Sequence, residues 1–144
     1  MERIGNQEKK YVNDILDNNL SYDIDKKYVN LFEKKFADTF NCKYGISAVN
    51  GTATMHAILE GMGIKDGDEV IVPALTMLST CLSVLQTNAL PVFADIDPDT
   101  FQISVESITK CITPRTKAIQ IVSLYGMPPE MDEIMELANK HNLY

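Results

Sequence analysis

Apolar positions along the chain alternate between two patterns: short β-branched runs and longer stretches of helical period. Gly5 to Asn19 places Tyr11, Val12, Ile15 and Leu16 on one side, predicting a short amphipathic helix that stops at Asn18-Asn19. Ser21 to Asp25 reads as a polar connection. Lys27 to Phe40 reads as a second helix, with Tyr28, Leu31, Phe32 and Phe36 aligned beside the Lys35 stem. Ile46 to Val49 is a strand-like run that stops at Asn50-Gly51, and a helix follows as far as Gly61-Met62-Gly63, whose glycines mark its end. Lys65 to Asp68 is a tight turn, and Glu69 to Pro73 a buried strand closed by proline. Thr76 to Gln86 predicts a helix capped by Thr76, with Leu78, Cys81, Leu82 and Leu85 on its apolar side. Pro91 to Ile96 is the next strand, Asp97 to Thr100 a turn, and Ser104 to Cys111 a short helix with Ser104 as cap and Ser107 on its surface. Thr116 to Leu124 reads as a long apolar strand, and Met131 to His141 as a helix with Ile134, Leu137 and Ala138 inward.

Strands alternating with helices predict an α/β fold: a mainly parallel sheet with right-handed crossovers, flanked by helices. Ligands of such sheets lie beyond the carboxyl ends of the strands. Asn50 to Ala53, Pro73 to Met77 and Ser123 to Gly126 all fall there, so they are expected to face one cleft. The helix at 131–141 should feed another buried strand, and Leu143-Tyr144 is too short to form one. The sequence therefore reads as the front part of a longer protein, truncated after a helix.

The most informative stretch is Tyr44 to His56, Y-G-I-S-A-V-N-G-T-A-T-M-H. A strand that ends in a small-residue turn and opens a helix aims unpaired N–H groups at one point, and the helix dipole adds partial positive charge there. Gly51 lets the backbone approach a phosphate closely, and Thr52 adds a hydroxyl donor. Asn-Gly is also a hairpin-turn signature, and Asn50-Gly51-Thr52 matches the glycosylation acceptor pattern. Helical period after Gly51 argues against the hairpin, and the absence of a secretory leader argues against glycosylation. On local grounds, an anion-binding turn and a purely structural turn both stand.

Composition narrows the partners. The chain has 144 residues, 45% hydrophobic and 23% charged, which are ordinary values for one globular domain. A net charge of −7 offers no basic stripe for nucleic acid. Lys26-Lys27 and Lys34-Lys35 are interleaved with acids and read as a solvated helix face. Cys42, Cys81 and Cys111 are widely spaced and form no C-x-x-C pair, which suits reduced thiols in a cytoplasmic protein. Met1-Glu2-Arg3 lacks a signal-peptide core, and no run approaches membrane-spanning length.

Catalytic sets are sparse. His56 and His141 lie in helices without evident partners and read as structural. Asp66, Asp68 and Glu69 cluster at a turn as solvated capping groups. Asp95, Asp97 and Asp99 alternate after a strand in a pattern that Mg²⁺ could use, although Pro98 and the turn account for them without a metal. The G-x-G at 61–63 closes a helix and is not a dinucleotide fingerprint. No Ser-His-Asp arrangement can be assembled.

The ordered segments resemble the nucleotide-sugar aminotransferases of the DegT/StrS type. They are F-E-K-K-F-A at 32–37, Y-G-I-S-A-V-N-G-T-A-T at 44–54, G-I-K-D-G-D-E-V-I-V-P at 63–73 and P-V-F-A-D-I-D at 91–97. T-K-A-I at 116–119, L-Y-G at 124–126 and M-D-E-I-M-E-L-A at 131–138 continue the series, which covers nearly the whole chain. The resemblance implies a fold-type-I enzyme dependent on pyridoxal 5'-phosphate. Residues 1–43 would be an N-terminal helical arm, and 44–144 an incomplete cofactor-binding large domain. It makes Gly51-Thr52-Ala53 the cradle of the cofactor phosphate, through the backbone N–H groups of Thr52 and Ala53. It sets Met77 where the family usually has an aromatic ring against the pyridine face; a thioether packs there over less area. Ser123 stands where histidine is common, and Tyr22 where glycine is usual.

The same resemblance puts the acid that pairs with the pyridine nitrogen, and the Schiff-base lysine, beyond Tyr144. No catalytic residue is then expected within this stretch, which would be inactive alone. The implied reaction moves an amino group, from glutamate, onto a nucleotide-linked keto sugar, in a homodimer, for polysaccharide or deoxysugar synthesis. Two alternatives remain: a pyridoxal- or pyridoxamine-phosphate-dependent sugar dehydratase of the same family, and a non-catalytic ligand- or partner-binding module.

Overall fold

A computed structural model describes residues 3–18 and 22–144, with the side chains of 22–25 outside that set. Asn19, Ser21 and the Tyr22 side chain, all named above, therefore lie outside the described residues. The chain forms two compact units, residues 1–47 and 48–144.

The first unit holds α1 (Asn6–Asp17) and α2 (Tyr22–Thr39). From Tyr22 to Asp25 the expected polar connection is instead the first turn of α2. Asp14 fastens the two helices, accepting from Tyr28 Oη at 2.6 Å and Lys27 Nζ at 3.0 Å while the Tyr11 and Tyr28 rings sit 5.2 Å apart. After α2 the chain returns along it: Glu33 Oε1 accepts both the N–H and the hydroxyl of Ser47 at 2.8 Å. Gly45 is required by this approach, since a Cβ would lie 2.5 Å from the Glu33 carbonyl oxygen.

The expected strand at Ile46 to Val49 does not form: these residues belong to no strand, and Ile46 is 87% exposed. A β-branched run becomes a strand only where a ladder partner exists, and the three strands of the sheet pair only with one another.

The second unit is a parallel three-stranded sheet of order β2-β1-β3 with helices on both faces, as the alternating pattern predicts. Its elements are α3 (Gly51–Gly61), β1 (Glu69–Pro73), α4 (Leu78–Leu85), β2 (Leu90–Ala94), α5 (Val105–Cys111), β3 (Thr116–Ile119) and α6 (Met131–His141). Val70 and Val72 point to one face, packing with Leu59 of α3 and with Cys81 and Val84 of α4. Ile71, between them, points to the other face, with Ile108 of α5 and Ile134 of α6. Passing from β1 to β2 and then back past β1 to β3 reverses direction, so right-handed crossovers require α4 and α5 on opposite faces.

Several boundaries differ from expectation. β2 is shorter than Pro91 to Ile96 at its far end; Ile96 instead makes an antiparallel bridge to Ile103. The long strand expected to Leu124 stops at Ile119. Glu69 N–H and Ile71 C=O face β3, and so does residue 73, which is proline and has no N–H to continue the ladder. Thr76 is not the cap of α4. Met77 holds that position, and the Thr76 hydroxyl lies 2.8 Å from that of Thr80. The α4 face is also turned from the expected one: Thr80, Cys81, Ser83 and Val84 are buried, while Leu78, Leu82 and Leu85 are exposed. Small hydroxyls can occupy a close-packed helix–sheet interface when they bond locally, and Ser83 Oγ donates to Thr80 O at 2.9 Å. Ser107 is half-buried rather than on the surface, with its hydroxyl accepting the Asp95 N–H at 2.7 Å.

Candidate functional site

α3 descends toward the start of β1, and α4 begins just after its end. Both helix N-termini therefore lie at the carboxyl edge of the sheet. The loop after β1 leaves toward the α3/α4 face, and those after β2 and β3 leave toward the α5/α6 face. Divergence of this kind is where open parallel sheets place ligands.

Asn50, extended at φ −165° and ψ 173°, caps α3: its Oδ1 accepts the Ala53 N–H at 2.9 Å. The N–H groups of Gly51 and Thr52 and the Thr52 hydroxyl have no hydrogen-bond partner among the described residues. A Cβ built on Gly51 meets nothing within 4 Å. Of the two N–H groups expected to bind phosphate, that of Thr52 is free and that of Ala53 is engaged by Asn50. In the sequence Asn50 reads only as a turn residue; the signal for its capping role is the preference for asparagine at the position before a helix.

Met77 is 72% exposed at the head of α4, with an extended backbone. Ser123 is exposed beyond β3, followed by a 3₁₀ turn at Leu124–Gly126. The sheet thus brings the start of α4 and the end of β3 to one edge, as expected for these segments.

Asp97 accepts the N–H groups of Thr100 at 2.8 Å and Asp99 at 3.0 Å, which hold its carboxyl below the usual range. Among the described residues, no group of three or more His, Cys, Asp or Glu is placed to hold a metal ion. His56 Nε2 lies 3.4 Å from Glu60 Oε1 on its own helix and makes no hydrogen bond. Cys42, Cys81 and Cys111 are free thiols, and burial pushes that of Cys81 up.

Glu69 departs from its expected role as a solvated cap. It is 4% exposed, and its carboxylate accepts from the Thr113 hydroxyl and the Arg115 guanidinium, which lower its pKa in that order. The Glu69 N–H also donates to Arg115 O at 2.9 Å. This clamp fixes the start of β1 against the entry to β3, at the edge of the sheet opposite the α3 and α4 N-termini. A glutamate opening a strand, with an arginine just before another strand, was its only trace in the sequence.

No helix among the described residues is long and apolar enough to cross a membrane. Residues 2–144 match the family described as DegT/DnrJ/EryC1/StrS aminotransferase. GDP-perosamine synthase of Escherichia coli O157:H7 is 44% identical over 140 residues, covering 96% of this chain and 38% of that protein. The chain thus spans well under half the length of this relative. An aminotransferase from Psychrobacter cryohalolentis superposes with a TM-score of 0.88 at 39% identity, over 98% of this chain and 36% of that one. The E. coli GDP-4-keto-6-deoxy-D-mannose-3-dehydratase, solved with hydrated pyridoxal phosphate, gives 0.84 at 29% identity, over 99% and 38%. Segment order, parallel sheet and family match agree, and the chain belongs to the DegT/DnrJ/EryC1/StrS aminotransferase family.

Proposed function

We propose that this chain is the N-terminal part of a pyridoxal-phosphate-dependent aminotransferase that delivers an amino group, from a donor such as glutamate, to a nucleotide-linked keto sugar. The α3 N-terminus carries the reading: at the carboxyl edge of the sheet the N–H groups of Gly51 and Thr52 have no partner among the described residues. These residues fit a phosphate group. Converging N–H donors and the helix dipole favour its negative charge, and the Thr52 hydroxyl adds a neutral donor. Met77 would cover one face of the pyridine ring and keep water from it. When bound, the cofactor supplies the electron sink that lets an amino group pass between donor and acceptor.

In this reading residues 1–43 form the helical arm, and 44–144 contribute the phosphate cradle and one wall of the site. The cofactor-bearing lysine belongs to the length of the relatives that this chain does not span. The enzyme is assigned as a cytoplasmic homodimer; exposed Leu78, Leu82 and Leu85 on α4 offer apolar area for a second subunit. Likeness to the dehydratase supports a second reading, removal of a sugar hydroxyl in place of amination.

The test uses the full-length protein. Cofactor binding is followed by absorbance, and the product formed from a GDP-linked 4-keto sugar and glutamate is identified by mass. An amino sugar supports the first reading, and a deoxygenated keto sugar the second. Thr52→Trp should weaken cofactor binding by tenfold or more, since the indole would fill the space before the donors. Unchanged affinity would remove the phosphate assignment.

A further inference from the structure

Five non-glycine residues are described with positive φ: Asn41, Asn88, Phe101, Tyr125 and Asn142. Asparagine tolerates the left-handed region, whereas a bulky aromatic residue there is an outlier. Both aromatic outliers are tied to one side chain. Phe101 immediately precedes Gln102, and Tyr125 immediately follows Leu124, which Gln102 holds.

Gln102 is 4% exposed. Its Nε2 donates to Leu124 O at 3.1 Å, and its Oε1 accepts the Leu124 N–H at 3.3 Å. The amide thus takes the place of a strand partner for one residue beyond the end of β3. Nε2 also lies 3.3 Å from Thr100 O, inside the turn organised by Asp97. Through Gln102, the turn after β2 is tied to the backbone after β3. Tyr125, at φ 57° and ψ 17°, is 87% exposed within these 144 residues, so burial against them does not offset the strained backbone. Strain held by a buried partner and presenting an exposed side chain points to use of that side chain.

We propose that Gln102 is a positioning residue that holds Leu124–Tyr125–Gly126 so that the Tyr125 ring meets the amino-acceptor sugar at the carboxyl edge of the sheet. A phenol suits such a ligand, because its face packs on the C–H surface of a sugar ring and its hydroxyl pairs with a sugar hydroxyl. This inference rests on the aminotransferase reading above for the identity of the ligand.

The experiment uses the full-length protein and its variants Tyr125→Gly and Gln102→Leu. Binding of the keto-sugar nucleotide is measured by calorimetry, cofactor affinity by absorbance, and unfolding by a thermal scan. Tyr125→Gly should raise the melting temperature, because glycine enters the left-handed region freely. It should also weaken sugar-nucleotide binding about tenfold, with cofactor affinity and the KM for the amino donor unchanged. Gln102→Leu should reproduce the loss of sugar binding; if it fails to fold, Tyr125→Gly decides alone. Unchanged sugar binding in Tyr125→Gly overturns the proposal, as does an equal rise in KM for donor and sugar. A wild-type protein that binds no cofactor overturns the parent reading instead, and the calorimetry still reports on Tyr125.

Discussion

Asn50 Oδ1 accepts the Ala53 N–H at 2.9 Å, so one of the two donors that the family resemblance offers to a phosphate is already engaged by a side chain of the same chain. A phosphate that uses both donors must turn the Asn50 amide away. Asn50→Asp keeps a good helix cap but leaves a carboxylate at the anion site. It should preserve the melting temperature and weaken cofactor binding by about tenfold or more, from like-charge repulsion at short range. Parallel absorbance titration and thermal melting check this; a fall in stability with intact affinity would contradict it.

Met77 stands exposed at the head of α4, where the resemblance sets an aromatic ring. Met77→Phe has room and adds area against a pyridine face, so cofactor affinity should rise about threefold, in line with a modest aromatic pair. Equilibrium dialysis of both proteins measures the change. A loss of affinity would remove residue 77 from the cofactor face.

Glu69 is held below the ordinary glutamate value of 4.5 by Thr113 and then Arg115. A depressed folded-state pKa means that its stabilisation is complete above the unfolded value and is lost as pH falls through the folded one. Wild-type stability should therefore decline on acidification below about 4.5, and Glu69→Gln should flatten this decline. At neutral pH the same variant should lose about 2 kcal/mol, the scale of hydrogen bonds to a charged group. Urea unfolding across pH tests both effects.

Gly45 allows the backbone of residues 44–47 to lie against α2. Gly45→Ala would bring a methyl group 2.5 Å from the Glu33 carbonyl oxygen, and backbone must move. The cost should be about 1–3 kcal/mol. Faster amide exchange at Ser47, whose N–H bonds to Glu33, would show that the segment has lifted.

Local order in the chain sufficed for elements whose partners are close in sequence or whose burial is complete. Glu69–Pro73 and Met131–His141 form as the apolar run and the helical period predict. The Asp97 turn and the Ser104 cap follow from side chains that bond three residues away. The turn proposed to hold a phosphate reads in the sequence as strand, small turn and helix; the helix forms and the strand does not.

Tertiary structure decided the rest, because each outcome depends on a partner far along the chain. Ile46 to Val49 has strand chemistry but no ladder beside it, and β3 ends where Pro73 of β1 cannot donate. The buried face of α4 was chosen by the sheet and α3, which accept small hydroxyls and leave three leucines outside. The charge clamp of Glu69 with Arg115 and the Gln102 hold on Leu124 join residues brought together only by the crossovers. By itself, the sequence determined the alternation of helices and strands and the family. Only folding determined which donors stay free, which faces are covered and which strained residue is presented, since hydrogen bonds and close packing are settled between distant segments.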